Sequence, residues 1–155
     1  MTPATTALTR EGVEFTLHPY DHDPRAESFG LEAAQALGVA PERVFKTLVA
    51  AADGALVVAV VPVSTQLDLK ALARAVGASK AVMAEVTKAE RATGYVAGGI
   101  SPFGQKNTHR TVVDQSLLDH ETVFVSAGKR GLDLEVVPVD LLRVTGAMLA
   151  TISRS

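Results

Sequence analysis

A chain of 155 residues with 47% hydrophobic and 21% charged residues has the apolar content for a packed core, which excludes a disordered segment. It contains no cysteine, which excludes disulfides, thiolate metal centres and a cysteine nucleophile supplied by the protein. The net charge of -2 argues against strong nucleic-acid binding by bulk charge, because neutralising phosphates requires a basic excess. Met1-Thr2-Pro3-Ala4 lacks the basic-then-apolar pattern of a signal peptide, and the longest apolar run, Leu56 to Val63, is far too short to cross a bilayer. A cytoplasmic protein with no membrane partner is expected.

Thr2-Pro3 predicts the cap and first residue of a helix running to about Glu11, with Gly12 as its stop. Val13, Phe15 and Leu17 alternate with polar residues and predict a half-buried strand. His18-Pro19-Tyr20-Asp21-His22-Asp23-Pro24 reads as an ordered loop, since two prolines oppose a helix. A helix is predicted from about Glu27 to Leu37, then one further turn over Pro41 to Val44. Phe45 to Ala52 and Ala55 to Val63 flank Asp53-Gly54, a hairpin signal because both residues tolerate positive φ.

Leu67, Leu69, Leu72, Ala73 and Val76 have helical spacing, and Ala81 to Ala84 reads as a short strand. Thr87-Lys88-Ala89-Glu90 fits a capping box for a helix to about Thr93. Strands are predicted at Thr111 to Asp114, Val123 to Ala127 and Leu132 to Val137. A last helix over Val139 to Val144 precedes a short terminal strand. Interleaved helices and hairpins predict a mixed α/β (α+β) domain, with a largely antiparallel or mixed sheet, over residues 1–155.

The chain carries neither a GxxxxGK[ST] phosphate loop nor a GxGxxG fingerprint. Gly99-Ile100-Ser101-Pro102-Phe103-Gly104 misplaces the glycines of a nucleophile elbow and puts proline after the serine. The four histidines are scattered, and prolines keep His18 and His22 off one helical face, so they read as surface or loop anchors and not as metal ligands. Lys46 stands on an apolar strand face with Leu48 and Ala50, where it either snorkels to water or provides a cation at a pocket floor. Gly98-Gly99-Ile100-Ser101-Pro102 is either a glycine–proline turn or a loop whose amides face developing negative charge. Gly128-Lys129-Arg130-Gly131 reads as an exposed hairpin turn able to touch RNA phosphates. Tyr20 and Asp133 do not stand out individually.

Taken together, Thr2-Pro3-Ala4, His18 to Pro24, Phe45-Lys46-Thr47-Leu48, Thr93-Gly94-Tyr95, Gly98 to Lys106 and Val125 to Glu135 resemble the YbaK family, in order and nearly end to end. That family comprises free-standing Cys-tRNA(Pro) deacylases related to the editing domain of bacterial prolyl-tRNA synthetase. The resemblance implies a compact α/β fold around a mixed, barrel-like sheet and hydrolysis of an aminoacyl ester on tRNA. It implies that Lys46, Gly98 and Gly99 are catalytic and that Tyr20, Ile100, Ser101, Pro102 and Asp133 bind substrate, with no metal and no cofactor. It also implies that the thiol of the bound cysteine attacks its own ester, so the protein needs no nucleophile. Two alternatives stay open: a deacylase for another small amino acid, as in Ala-tRNA(Pro), and a non-catalytic module binding tRNA or a synthetase. With so little basic surface, help from prolyl-tRNA synthetase is expected, and Lys106, His109, Arg110, Lys129 and Arg130 are the expected RNA-facing positive or titratable groups.

Overall fold

A computed structural model describes residues 1–155. Helix α1, Pro3–Arg10, starts under the Thr2 side chain, which accepts from the Thr5 amide. The same hydroxyl donates to the Ala127 carbonyl at 2.5 Å and ties the N-terminus to a strand far along the chain. Strand β1, Thr16–Pro19, starts later than the alternation predicts and takes in His18 and Pro19, which the sequence assigns to a loop. It is an edge strand, so the proline nitrogen faces no neighbour that needs a donor, and Leu17 is 44% exposed. Helix α2, Phe29–Leu37, begins after Ser28, whose hydroxyl caps the Leu31 amide; Glu27 lies outside it.

A 3₁₀ turn over Pro41–Arg43 leads into β2, Phe45–Ala52, and β3, Ala55–Pro62. Asp53 at φ 49° and Gly54 at φ 87° form the mirror-image turn that suits strand twist, and Ala52 pairs with Ala55 across it. Strand β4, Gln66–Leu67, precedes α3, Leu69–Val76, which Asp68 caps. Strand β5, Ala81–Met83, precedes α4, Val86–Thr93. The capping box expected at Thr87 does not form. The helix starts two residues earlier, at the Glu85 cap, which leaves Thr87 inside the first turn.

After a glycine-rich loop come β6 (Arg110–Asp114), a second 3₁₀ turn, β7 (Val123–Lys129) and β8 (Leu132–Val136). Helix α5, Pro138–Thr145, and the short strands β9, Met148–Ala150, and β10, Ser153–Arg154, complete the chain.

The strands form a mixed sheet in the order β5-β2-β3-β6-β9, an antiparallel sheet β1-β8-β7, and the pair β10-β4. They do not close into the barrel-like sheet that the family resemblance implies. A single parallel bridge, Val44 to Phe124, joins the two larger sheets. The 3₁₀ turn at Pro41 leads the chain out of strand geometry just before Val44, so pairing stops there.

Both faces of β3 are buried, which accounts for its unbroken apolar sequence. Val58 and Val60 join Leu8, Phe45, Phe103, Leu134 and Leu141 in the larger core; Ala59 and Val61 pack with Leu72, Val112 and Ile152 in the second. No helix is long and apolar enough to cross a membrane.

Candidate active site

The first residues of β2, the loop before β6 and the β7–β8 hairpin converge on a cavity of about 220 Å³. Lys46, Gly98, Ile100, Tyr20 and Asp133 line it together, although they come from distant parts of the chain.

Lys46 is half-buried at the open end of the β2–β3 hairpin, paired in register with Val61. Its Nζ donates to the Thr65 carbonyl at 2.8 Å, which a tight turn closed by Thr65 N–H and Oγ1 onto the Pro62 carbonyl holds in place. No carboxylate lies within ion-pair distance of this ammonium. Burial pulls its pKa below the ordinary lysine value. A desolvated cation with one neutral acceptor keeps donors for a bound anion or ester oxygen.

The glycine-rich loop is held by its own side chains. The Tyr95 hydroxyl donates to the Phe103 carbonyl at 2.6 Å, and Gln105 Nε2 donates to the Ser101 carbonyl at 3.0 Å. The Gly99 amide is taken by the Val96 carbonyl at 2.9 Å, while the amides of Gly98 and Ile100 donate to no protein acceptor. Gly98 sits at φ 87°, and a Cβ there would lie 2.5 Å from Phe29 Cδ2 and 2.8 Å from Arg130 Nε. Only glycine satisfies both the backbone and the space.

Tyr20 and Asp133 add to the polar part of the wall. Tyr20 is fixed by its amide, which donates to the Gly131 carbonyl at 2.9 Å. Burial pushes its hydroxyl pKa up, and the nearby charges of Asp133 and Glu32 add to the rise. Asp133, on β8, is 5% exposed, and its carboxylate takes no hydrogen bond from the protein. Burial pushes its pKa up to about 6, against the pull of His18 across the β1–β8 pair.

The remaining expected residues lie elsewhere. Gly99 packs its α-carbon against the Lys129–Arg130 backbone, where a Cβ would come within 2.9 Å of Lys129 Cα. Ser101 is fully buried, and its Oγ accepts from the Phe103 amide. Pro102 lines a separate polar hollow with His109 and Asn107. Of the segment from Gly98 to Ser101 whose amides are expected to face substrate, Gly98 and Ile100 line the cavity.

His18 pairs with Glu135 at 2.9 Å and His22 with Glu32 at 2.8 Å, and no group of three His, Asp or Glu side chains is placed to hold a metal ion. Among the expected RNA-facing groups, Lys106 and Lys129 are exposed, but Arg110 donates to the Val76 carbonyl and Arg130 to that of Ala97.

Sequence reasoning missed Phe29, Thr47 and Ser126, which also line the cavity. The buried Thr47 hydroxyl has no partner, and Ser126 stands across from Asp133 in the β7–β8 ladder. Threonine beside Lys46 and serine in the Val125–Glu135 motif were the available signals; nothing local marks Phe29.

Residues 24–144 match the aminoacyl-tRNA editing domain family. The chain belongs to that family. A relative from Enterococcus faecalis, named "Putative Cys-tRNA(Pro)/Cys-tRNA(Cys) deacylase EbsC", is 40% identical over 121 residues, 77% of this chain and 74% of its own. The Bacillus subtilis protein YwhH, uncharacterized, is 31% identical over 111 residues, 71% of this chain and 70% of its own. A crystal structure of "a putative trans-editing enzyme for prolyl tRNA synthetase" superimposes with a TM-score of 0.88 at 25% identity, covering 99% of this chain and 96% of that one. The editing-family match spans the cavity-lining Lys46, Gly98, Ile100 and Asp133; Tyr20 lies just before it.

Proposed function

We propose that this editing-family protein releases cysteine from mischarged Cys-tRNA(Pro) and, second, from Cys-tRNA(Cys). The observation that carries the reading is the small cavity where an unpaired ammonium, free amides and an unpaired carboxylate meet, with no histidine or cysteine in its wall. At about 220 Å³ it falls below the roughly 300–1,000 Å³ of drug-sized pockets and suits an aminoacyl ester.

The serines and threonine in the wall have no histidine base beside them. The substrate thiol supplies the nucleophile: its sulfur bonds to the ester carbonyl carbon, the carbon–oxygen bond breaks, and the ribose oxygen leaves with a proton. Water then opens the cyclic thioester to free cysteine. The protein's part is to hold the thiol near the carbonyl and stabilise the oxyanion. Gly98 and Ile100 amides face that oxygen, Lys46 holds the ribose or its phosphate, and ionised Asp133 holds the substrate ammonium beside Tyr20. Gly99, Ser101 and Pro102 support the loop that carries these amides.

Hydrolysis of Cys-tRNA, Ala-tRNA and Ser-tRNA under one set of conditions tests this. Cysteine is released fastest; equal release of alanine rejects the thiol-assisted route and favours activated water. Binding of tRNA without turnover of any of the three rejects catalysis altogether. The net charge of -2 also supports a prolyl-tRNA synthetase partner that supplies tRNA selectivity. Sharp discrimination among tRNAs by the protein alone, each bearing cysteine, removes the need for one.

A further inference from the structure

Arg130 is exposed, in a turn whose basic residues suggest an RNA contact, yet its guanidinium is committed to the protein. Its Nε and Nη2 donate to the Ala97 carbonyl at 3.0 and 2.6 Å. Its Cζ lies 4.2 Å from the centre of the Phe29 ring, close enough for a cation–π contact. A register shift between Ser126 and Lys129 interrupts the β7–β8 ladder just before it, the kind of irregularity that redirects a side chain. The turn thus reaches back over the cavity wall, against both the glycine loop and the first residue of α2.

The Ala97 carbonyl belongs to the same peptide unit as the Gly98 amide. No peptide in the chain is cis, so the carbonyl and the N–H of this unit point in opposite directions. With the guanidinium on the carbonyl, the Gly98 N–H points away from Arg130, and it has no protein acceptor. Gly98 itself lines the cavity. A two-pronged charged donor fixes the plane of the peptide, and hydrogen bonds to ionised groups are about twice as strong as neutral ones. The same bond draws electron density toward the carbonyl and strengthens the amide as a donor at the other end.

We propose that Arg130 is a positioning residue for deacylation, which holds and polarises the Ala97–Gly98 peptide so that the Gly98 N–H is presented to the ester oxygen. The proposal rests on the deacylase reading above. Lysine cannot replace this arginine fully, because a single ammonium carries charge without the planar fork. The stacked Phe29 makes the clamp part of the cavity wall, so loss of the guanidinium loosens the loop and the wall together.

The test compares wild type with Arg130→Ala and Arg130→Lys on Cys-tRNA. Removing one oxyanion donor outright costs about 10²–10³ in kcat, so weakening one through its peptide is expected to cost roughly ten- to a hundredfold. Arg130→Lys falls between, KM changes little, and added guanidinium ion restores part of the Arg130→Ala rate while sodium chloride does not. Unchanged kcat, with a raised KM and a shallower salt dependence, overturns the proposal and makes Arg130 a phosphate contact. The Gly98 amide resonance, read by NMR in the free protein, is expected to move in Arg130→Lys. Its failure to move overturns the proposal whatever the activity. Absence of turnover in wild type, with that resonance still displaced, sinks the deacylase reading and leaves the clamp standing.

Discussion

The two ends of the β2–β3 hairpin place glycines under different demands. At the closed end Gly54 has φ 87°, and a Cβ would meet nothing within 4 Å. Beside the open end, in the wall of the cavity that Lys46 also lines, Gly98 has the same φ, but a Cβ would run into Phe29 and Arg130. One position needs glycine for its backbone alone; the other needs it for its backbone and for the shape of a binding wall. A shared conformation therefore has separate consequences: loss of stability at the turn, loss of chemistry at the cavity.

The largest effect is expected from Gly98→Ala. The added methyl must displace Phe29 or the guanidinium, which moves the amide from the ester oxygen, and kcat falls by about a hundredfold or more. Steady-state kinetics with Cys-tRNA measures this, and a rate within threefold of wild type breaks the comparison at its functional end. Lys46→Met is next. It keeps the apolar stem and removes a half-buried charge with one neutral partner, so activity falls by about a hundredfold. The melting temperature shifts by no more than about 3 °C, roughly 1 kcal/mol for a chain of this size. A collapse of stability instead makes Lys46 a structural residue.

Asp133→Asn sharpens the comparison by separating stability from activity in one residue. A carboxyl whose folded pKa is raised to about 6 stabilises the fold when protonated, and that contribution is lost as pH rises through 6. The variant should match wild type near pH 4 and be more stable above pH 6, by a gain on the order of 2–3 kcal/mol at most. Its activity moves the other way, because the ionised carboxylate is the form that holds the substrate ammonium. Wild-type activity is lost as pH falls through about 6, and the variant lacks that limb. Thermal melts and pH–rate profiles of the two proteins provide the readings, and an unaltered limb in the variant assigns it to another group.

What the sequence revealed follows the range of the interactions. Asp53-Gly54 was legible because two adjacent residues determine the turn. Lys46 and Gly98 were legible through local chemistry and family motifs. Phe29 was not, because it reaches the cavity only when α2 packs against the glycine loop. Arg130 showed its charge in the sequence but not the carbonyl 33 positions earlier that takes it up. Gly99, Ser101 and Pro102 share a motif with Gly98, but adjacent residues of a turning loop face different ways. The same limit explains His18 and Pro19, whose place in a strand depends on β8, and the sheets that fail to close beyond the Val44–Phe124 bridge.

Gly54→Ala is the smallest expected effect and the control for all the others. Holding alanine at positive φ costs about 1–2 kcal/mol, because Cβ crowds the carbonyl even where the surroundings are empty. The melting temperature falls by about 2–8 °C, taking roughly 2–4 °C per kcal/mol, and Gly54→Asn recovers part of it because asparagine tolerates this conformation. The turn is anchored independently by the Asp53 carboxylate, which accepts from the Ser79 and Lys80 amides at 2.9 and 3.0 Å. Strain at residue 54 is thus confined to the closed end, and kcat with Cys-tRNA remains within about twofold of wild type, as for a surface change remote from a site. If Gly54→Ala instead lowers kcat as Gly98→Ala does, the hairpin transmits strain along its whole length, and the two ends do not have separate duties.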